Sequence, residues 1–118
     1  MARREARRLA AGLGFDRNDT ESIALAASEL AMNLFRYAVE GEILLRAVQD
    51  GARQGLAVES LDTGPGIAHL ELALQDGYST GGGLGSGLPS TRRLMDDFVV
   101  TTGPTGTNIL ARKWLPRV

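Results

Sequence analysis

Residues 81–87 contain five glycines and lead directly into a helical pattern. Because glycine weakens the interior of helices and strands, such a run predicts a loop that enters a helix. A loop of this kind can place backbone N–H groups around an anion. Two known phosphate loops are excluded, because Leu88 stands where the dinucleotide fingerprint needs a third glycine and where the P-loop needs a lysine. Taken alone, the run also fits a flexible linker.

Composition limits the remaining choices. A chain of 118 residues with 43% hydrophobic content predicts one compact domain over residues 1–118. The net charge of -1 argues against nucleic-acid binding, and we interpret the arginines at positions 3, 4, 7 and 8 as a solvated helix face. The absence of cysteine excludes disulfides and thiolate metal sites. No membrane span or signal peptide is recognisable, which favours a cytoplasmic protein.

Two amphipathic helices are predicted in the first third of the chain. The first covers residues 2–13 and ends at Gly12 or Gly14. Asn18 or Asp19 is expected to cap the second, which runs to about residue 37 with an apolar residue every three or four positions.

Glu29 and Asn33 are four residues apart on the second helix and therefore lie on one face, at the border of the core. By themselves, their pattern favours ordinary polar residues at the edge of an amphipathic helix.

The rest of the chain reads as two hairpins around a helical segment. Residues 42–49 and 56–61 form the first hairpin, and residues 98–102 and 107–114 form the second. A sharp turn follows Asp62 and contains Gly64, Gly66 and Ile67; an ordinary turn is the alternative. We expect a short helix at residues 69–75, a surface position for His69, and a helix over residues 88–97 with Pro89 in its first turn.

Four segments resemble, in order, the conserved boxes of the GHKL ATPase and kinase superfamily. They are residues 28–33 (SELAMN), residues 62–67 (DTGPGI), residues 81–87, and the pair Gly106 and Thr107. Residues 33–38 (NLFRYA), 85–89 (GSGLP) and 92–98 (RRLMDDF) look most like the RsbT-type switch serine/threonine kinases of bacterial stressosomes. The resemblance implies an α+β fold, a two-layer α/β sandwich of the Bergerat type, with a mixed, mostly antiparallel sheet covered on one face by helices.

The resemblance also implies a role for each box. Asn33 would hold Mg²⁺, which prefers oxygen ligands, and Glu29 would act as the catalytic base near the γ-phosphate of ATP. Asp62 would accept a hydrogen bond from the adenine amino group, and Thr107 would help through water. The nucleotide-binding residues implied are Asn33, Asp62, Gly64, Gly66, Ile67, Gly81, Gly82, Gly83, Leu84, Gly85, Ser86, Gly87 and Thr107.

The function implied is ATP-dependent phosphorylation of a serine or threonine on a STAS-domain partner of the stressosome, with a PP2C-type phosphatase regulator as a further partner. Two alternatives stay open. One is an RsbW-type anti-sigma-factor kinase, which is disfavoured because Arg36 and Tyr37 stand where those relatives tend to carry an acidic residue and histidine. The other is a binding module in which nucleotide only sets partner affinity.

The start of the chain departs from the family pattern. Relatives usually begin with a β-strand ahead of the first helix, whereas this sequence starts almost in that helix, at Ala2. A missing strand predicts an exposed sheet edge that affects stability or association.

Overall fold

The computed structural model describes residues 2–37, 41–63, 84–104 and 106–116, and for residues 35–37 and 84–87 it describes the backbone. The described part contains three helices and four strands. They are α1 Ala2–Leu13, α2 Arg17–Tyr37, β1 Gly41–Asp50, β2 Arg53–Asp62, α3 Leu84–Leu94, β3 Asp97–Gly103 and β4 Gly106–Trp114. Both predicted hairpins and the first two predicted helices are confirmed. The short helix expected at residues 69–75, with His69, lies outside the described residues.

The four strands form one sheet in the order β1-β2-β4-β3. All three pairs of neighbouring strands are antiparallel, so the described sheet is antiparallel throughout. The helices pack on one side of it, because buried residues of α1, α2 and α3 share one apolar cluster with alternate residues of the strands. The predicted α+β class, with helices covering one face of the sheet, is confirmed.

The predicted end of α1 is also confirmed. Gly14 follows the helix with a φ of 100°, a conformation that glycine adopts at little cost. Its N–H donates to the carbonyl of Ala11, and the N–H of Phe15 donates to the carbonyl of Ala10, both at 3.1 Å. This is the Schellman pattern, which satisfies the last carbonyl groups of a helix and here turns the buried Phe15 into the core.

The predicted cap of α2 is wrong. The side chain of Asp16 caps the helix, because its Oδ1 atom accepts a hydrogen bond of 2.7 Å from the N–H of Asp19. Asn18 and Asp19 therefore lie inside the first turn. The physical reason is that an N-cap side chain bonds the N–H three positions later, and this geometry starts the helix one residue after Asp16.

The start of α3 also differs from the prediction. The helix begins at Leu84 and ends at Leu94, so the second half of the glycine run is helical and Pro89 is the sixth residue of the helix. Pro89 has no N–H to donate to the carbonyl of Gly85, a loss that ordinarily destabilises a helix interior. Burial offsets this cost, since Leu88, Pro89 and Thr91 are all fully buried.

The core is arranged in rows across the helix-facing side of the sheet. One row consists of Ile43, Ser60, Ile109 and Val100, and the next consists of Leu45, Val58, Ala111 and Phe98. Against these rows pack the fully buried side chains of Ile23 and Leu30 from α2 and of Leu88 from α3. Each such side chain contributes about 1.5–3 kcal/mol through its burial.

Lys113 on β4 contacts both α2 and α3. Its Nζ atom donates a hydrogen bond of 2.9 Å to the carbonyl of Leu94 at the end of α3. The same atom lies 3.8 Å from Oδ1 of Asp19 at the start of α2 and 3.9 Å from Oδ1 of Asp96. Because α2 and α3 pack against each other, and the start of one meets the end of the other, they run antiparallel. No described helix is long and apolar enough to cross a membrane.

Candidate nucleotide-binding site

A polar row continues the core pattern at one end of the sheet. Gly41, Asp62, Thr107 and Thr102 are successive partners across all four strands. Side chains alternate between the two faces of a strand, so this row lies on the same side as the apolar rows below it. The row therefore borders the helix layer where β2 ends.

Hydrogen bonds hold three members of this row together. The backbone N–H of Thr107 donates to Oδ1 of Asp62 at 3.1 Å, and the hydroxyl oxygens of Thr102 and Thr107 are 2.9 Å apart. Thr107 is only 6% exposed. Asp62 and Thr107, each of which is expected to bind adenine, are 45 residues apart in the chain and are thus brought into direct contact.

Gly106 is required for the close approach of β4 to β2 at this point. A Cβ atom there would overlap the carbonyl oxygen of Asp62. Glycine lets the two backbones meet, and this contact places the N–H of the next residue, Thr107, within reach of the Asp62 carboxylate.

The carboxyl end of α2 lies beside the same row. A Cβ atom built on Gly41 would lie 2.7 Å from Cδ2 of Leu34 and 3.2 Å from Cβ of Asp62, so Leu34 packs over Gly41 next to Asp62. Asn33 precedes Leu34 on the helix, and Glu29 lies one turn earlier on the same face. Both are half-buried. Asn33 thus lies in the part of α2 that borders Asp62, and Glu29 lies one turn further from the end of the helix.

A cleft of about 320 Å³ opens at this end of the sheet. Its described lining consists of Gly41, Glu42, Leu61, Asp62 and Thr63. Clefts of this size hold small ligands, usually between apolar walls with a few polar groups that fix orientation. Here the polar side chains of the described lining are those of Glu42, Asp62 and Thr63, and Leu61 supplies apolar surface.

The amino end of α3 faces the same end of the molecule. The carboxyl end of α3 is bound by Lys113. Lys113 is six residues after Thr107 on β4, so this end of α3 lies roughly 20 Å from Thr107. Since α3 runs antiparallel to α2, its first turn lies toward the carboxyl end of α2. The N–H groups of residues 84–87 have no partner within a helix that starts at Leu84, and such groups bind anions.

No group of three or more histidine, cysteine, aspartate or glutamate side chains that could hold a metal occurs among the described residues. An all-protein metal cage is therefore not formed by this part of the chain. Asn33 offers one amide oxygen, which fits Mg²⁺ carried by phosphate groups, since this ion usually keeps several waters and few protein ligands.

Two carboxyl groups on the α1 and α2 surface have lowered pKa values. On α1, the Arg8 guanidinium lowers the pKa of Glu5, and the Arg7 guanidinium of α1 lowers that of Glu21 on α2. Arg7 and Glu21 are joined by two hydrogen bonds, of 2.7 and 3.0 Å. The exposed arginines of α1 thus belong to a solvated face, as expected, and two of them pair with carboxylates.

The described residues contain only part of the predicted site. The predicted members that lie outside them are Gly64, Gly66, Ile67, Gly81, Gly82 and Gly83. Leu84, Gly85, Ser86 and Gly87 form the first turn of α3 rather than a loop. Sequence reasoning missed Gly41 and Thr102. For Thr102 a signal was available, because the predicted four-residue turn of the second hairpin already makes Thr102 the cross-strand partner of Thr107.

Comparisons with known proteins identify the family of the chain. A family profile described as the histidine kinase-like ATPase domain matches residues 1–113. The serine/threonine-protein kinase RsbT of Bacillus subtilis is 44% identical over 115 residues, which cover 97% of this chain and 86% of that protein.

The fold has a relative of known structure. The histidine kinase domain from the blue-light activated histidine kinase of Erythrobacter litoralis superposes with a TM-score of 0.59 at 24% identity. The match covers 81% of this chain and 47% of that structure, so the chain spans about half its length. At this level of identity the likeness concerns the fold alone.

Proposed function

Because the chain belongs to the histidine kinase-like ATPase (GHKL-type) family and is similar to the serine/threonine-protein kinase RsbT, we propose that it is a serine/threonine protein kinase. It transfers the γ-phosphoryl group of ATP to a hydroxyl group of a partner protein. The observation that carries this proposal is the packing of Leu34 on Gly41 beside Asp62, which supports a shared site for the α2 residues and the end of β2.

The nucleobase is held at the polar row. The carboxylate of Asp62 accepts a hydrogen bond from the amino group of adenine, and guanine carries a carbonyl oxygen in that position. Gly64 and Gly66 are proposed to leave room for the ring. Buried Thr107 fixes the orientation of the Asp62 carboxylate, because its backbone N–H donates a hydrogen bond to Oδ1.

The phosphates are held at the other side of the cleft. The N–H groups of residues 84–87, which have no partner within α3, and the positive end of the α3 dipole favour the charged β- and γ-phosphates. The amide oxygen of Asn33 holds the Mg²⁺ that accompanies ATP, and this ion neutralises phosphate charge when bound.

Glu29 is the proposed catalytic base. Its carboxylate accepts the proton of the partner's hydroxyl group while that oxygen forms a bond to the γ-phosphorus. The bond from the γ-phosphorus to the bridging oxygen breaks, and ADP leaves with the electron pair. This chemistry depends on positioning and on charge neutralisation.

The partner is proposed to be a STAS-domain protein, with a PP2C-type phosphatase regulator downstream, and the reaction is proposed to take place in the cytoplasm. Similarity to RsbT supports the kinase class. The identity of the acceptor follows only from the family resemblance.

The test is incubation of the protein with Mg·ATP and candidate STAS proteins, followed by mass measurement of the partner. The wild type should add the mass of one phosphate. Glu29→Ala should bind ATP normally and transfer no phosphate, whereas Asn33→Ala should lose Mg²⁺-dependent nucleotide binding. Matched controls on the same helix are Glu21→Gln and Asn18→Ala, both exposed and distant from the cleft.

Each alternative has its own outcome. Transfer at the wild-type rate by Glu29→Ala would remove Glu29 as the base. Tight ATP binding without phosphorylation of any partner would favour a nucleotide-gated binding module, and co-purification with a sigma factor would favour an anti-sigma-factor kinase.

A further inference from the structure

Thr102 occupies an unusual position relative to the nucleotide cleft. It lies on β3, two strands away from Asp62, yet its hydroxyl oxygen is 2.9 Å from that of Thr107. The two threonines are direct cross-strand partners, and Thr107 is in turn the partner of Asp62. One polar row therefore connects an edge strand to the residue that is proposed to recognise adenine.

The hydrogen bond between the two hydroxyl groups can run in either direction. Each hydroxyl carries one proton, and only one of the two protons can lie between the oxygen atoms. When Thr102 donates, the proton of Thr107 is free to point along the row toward the cleft. The Thr107 hydroxyl is then a donor whose rotor is fixed, because the residue is almost fully buried and its oxygen already accepts from Thr102.

Adenine can accept a hydrogen bond from such a donor. Next to its amino group, ring atom N1 carries a lone pair and accepts a hydrogen bond, whereas N1 of guanine carries a proton. A carboxylate alone, as at Asp62, satisfies the amino group and repels the lone pair. Discrimination of adenine from other purines is stronger when the site also presents a proton to N1, directly or through one water.

We propose that Thr102 is a positioning residue for nucleobase selection: its hydroxyl donates to Thr107 and so holds the Thr107 hydroxyl as the proton donor for the N1 edge of adenine. This inference rests on the proposed function, since it assigns a second residue to the same nucleotide site. Thr102 does not touch the nucleotide and acts through Thr107.

The test compares ATP with 1-deaza-ATP, in which a C–H group replaces N1. Binding constants for both nucleotides are measured by titration calorimetry on the wild type, Thr102→Val and Thr102→Ser. Valine keeps the branched shape of threonine without the hydroxyl, and serine keeps the hydroxyl. The matched control is Thr101→Val, because Thr101 is the neighbouring residue on β3 and is exposed on the opposite face of the sheet.

Wild type, Thr102→Ser and Thr101→Val should bind ATP about three- to tenfold more tightly than 1-deaza-ATP, the range expected for one net hydrogen bond. Thr102→Val should bind both nucleotides alike, because it loses affinity for ATP only. If Thr102→Val fails to fold, as judged by its circular dichroism spectrum, Thr102→Ala makes the same comparison.

Two results would overturn the role of Thr102 while leaving the proposed function intact. One is unchanged discrimination in Thr102→Val; the other is an equal loss of affinity for both nucleotides, which a merely structural role would give. Failure of the wild type to bind ATP would instead refute the proposed function itself.

Discussion

Gly106 is the position in the second hairpin where one added methyl group should disturb the site most. A Cβ atom there would overlap the carbonyl oxygen of Asp62, and it would lie 3.2 Å from that residue's carbonyl carbon and 3.3 Å from Cα of Thr63. All three are backbone atoms, so no flexible side chain can move aside. A carbon–oxygen contact relaxes at roughly 3.3 Å, which requires β4 to move away from β2 by about 1 Å.

Moving β4 away from β2 lowers the stability of the fold. It lengthens the hydrogen bond from the Thr107 N–H to Asp62, now 3.1 Å, beyond bonding distance. A hydrogen bond to a charged group contributes about 1.5–3 kcal/mol, and crowding costs about 1–3 kcal/mol. We expect Gly106→Ala to lower the free energy of unfolding by about 3 kcal/mol, which corresponds to a fall in Tm of roughly 10 °C. Affinity for ATP should fall by about tenfold or more, because the Asp62 carboxylate is no longer fixed.

Gly103 provides the matched control. It is the cross-strand partner of Gly106 in the same hairpin, yet no atom of the described residues lies within 4 Å of a Cβ atom built there. Thermal melts followed by circular dichroism and titration with a fluorescent ATP analogue should leave Gly103→Ala close to wild type. The reasoning is refuted if Gly106→Ala melts and binds nucleotide like Gly103→Ala.

Two further predictions concern contacts away from the cleft. Lys113→Met should lower the free energy of unfolding by about 1–2 kcal/mol, measured by urea denaturation, because the ammonium group that bonds the last carbonyl of α3 is lost; an unchanged midpoint would contradict this. Arg7→Gln should lower Tm slightly at pH 7. Because Arg7 lowers the pKa of Glu21, the pair stabilises the fold above the pKa of the unfolded carboxyl group, and this contribution is lost as the pH falls through the lower, folded value. The difference in Tm from wild type should therefore shrink as the pH falls through the lowered, folded pKa of Glu21, and a difference that grows in acid would show that another group is responsible.

Local patterns predict the elements of this fold well, because each is encoded by neighbouring residues. The apolar spacing gives α1 and α2, and short runs of branched residues around glycine turns give both hairpins. The errors occur at boundaries. Asp16 was overlooked as a cap because two other capping residues, Asn18 and Asp19, follow it immediately.

The start of α3 shows where local rules fail. Proline is favoured in the first turn of a helix, and this preference places the start near Leu88. In the structure, α3 starts at Leu84, and tertiary burial of Leu88, Pro89 and Thr91 outweighs the lost hydrogen bond. The change bears on the proposed site, because residues 84–87 become the first turn of a helix, the turn whose N–H groups lack helical partners.

The order of the strands could not be predicted from local pattern, because the β2–β4 pairing joins segments about 50 residues apart. This pairing determines which residues meet at the cleft. Neither hairpin alone brings Asp62 to Thr107, so the polar row exists only after the hairpins combine. The candidate site was therefore predictable as a set of residues through family resemblance, and its internal contacts were not.

The position of the site follows from the same alternation that forms the core. Along β2, Leu56, Val58 and Ser60 are buried on the helix-facing side, and Asp62 is the next residue in that series. The intervening Glu59 lies on the opposite face, where it pairs with Arg46 at 3.2 Å and Asn108 at 3.0 Å. A shift of one residue in the register of β2 would turn the carboxylate of Glu59 into the core and turn Asp62 away from Thr107. The burial that stabilises the sheet thus also fixes the orientation of Asp62. A variant that replaces a buried residue of β2 and so allows this strand to shift should lose nucleotide binding together with stability.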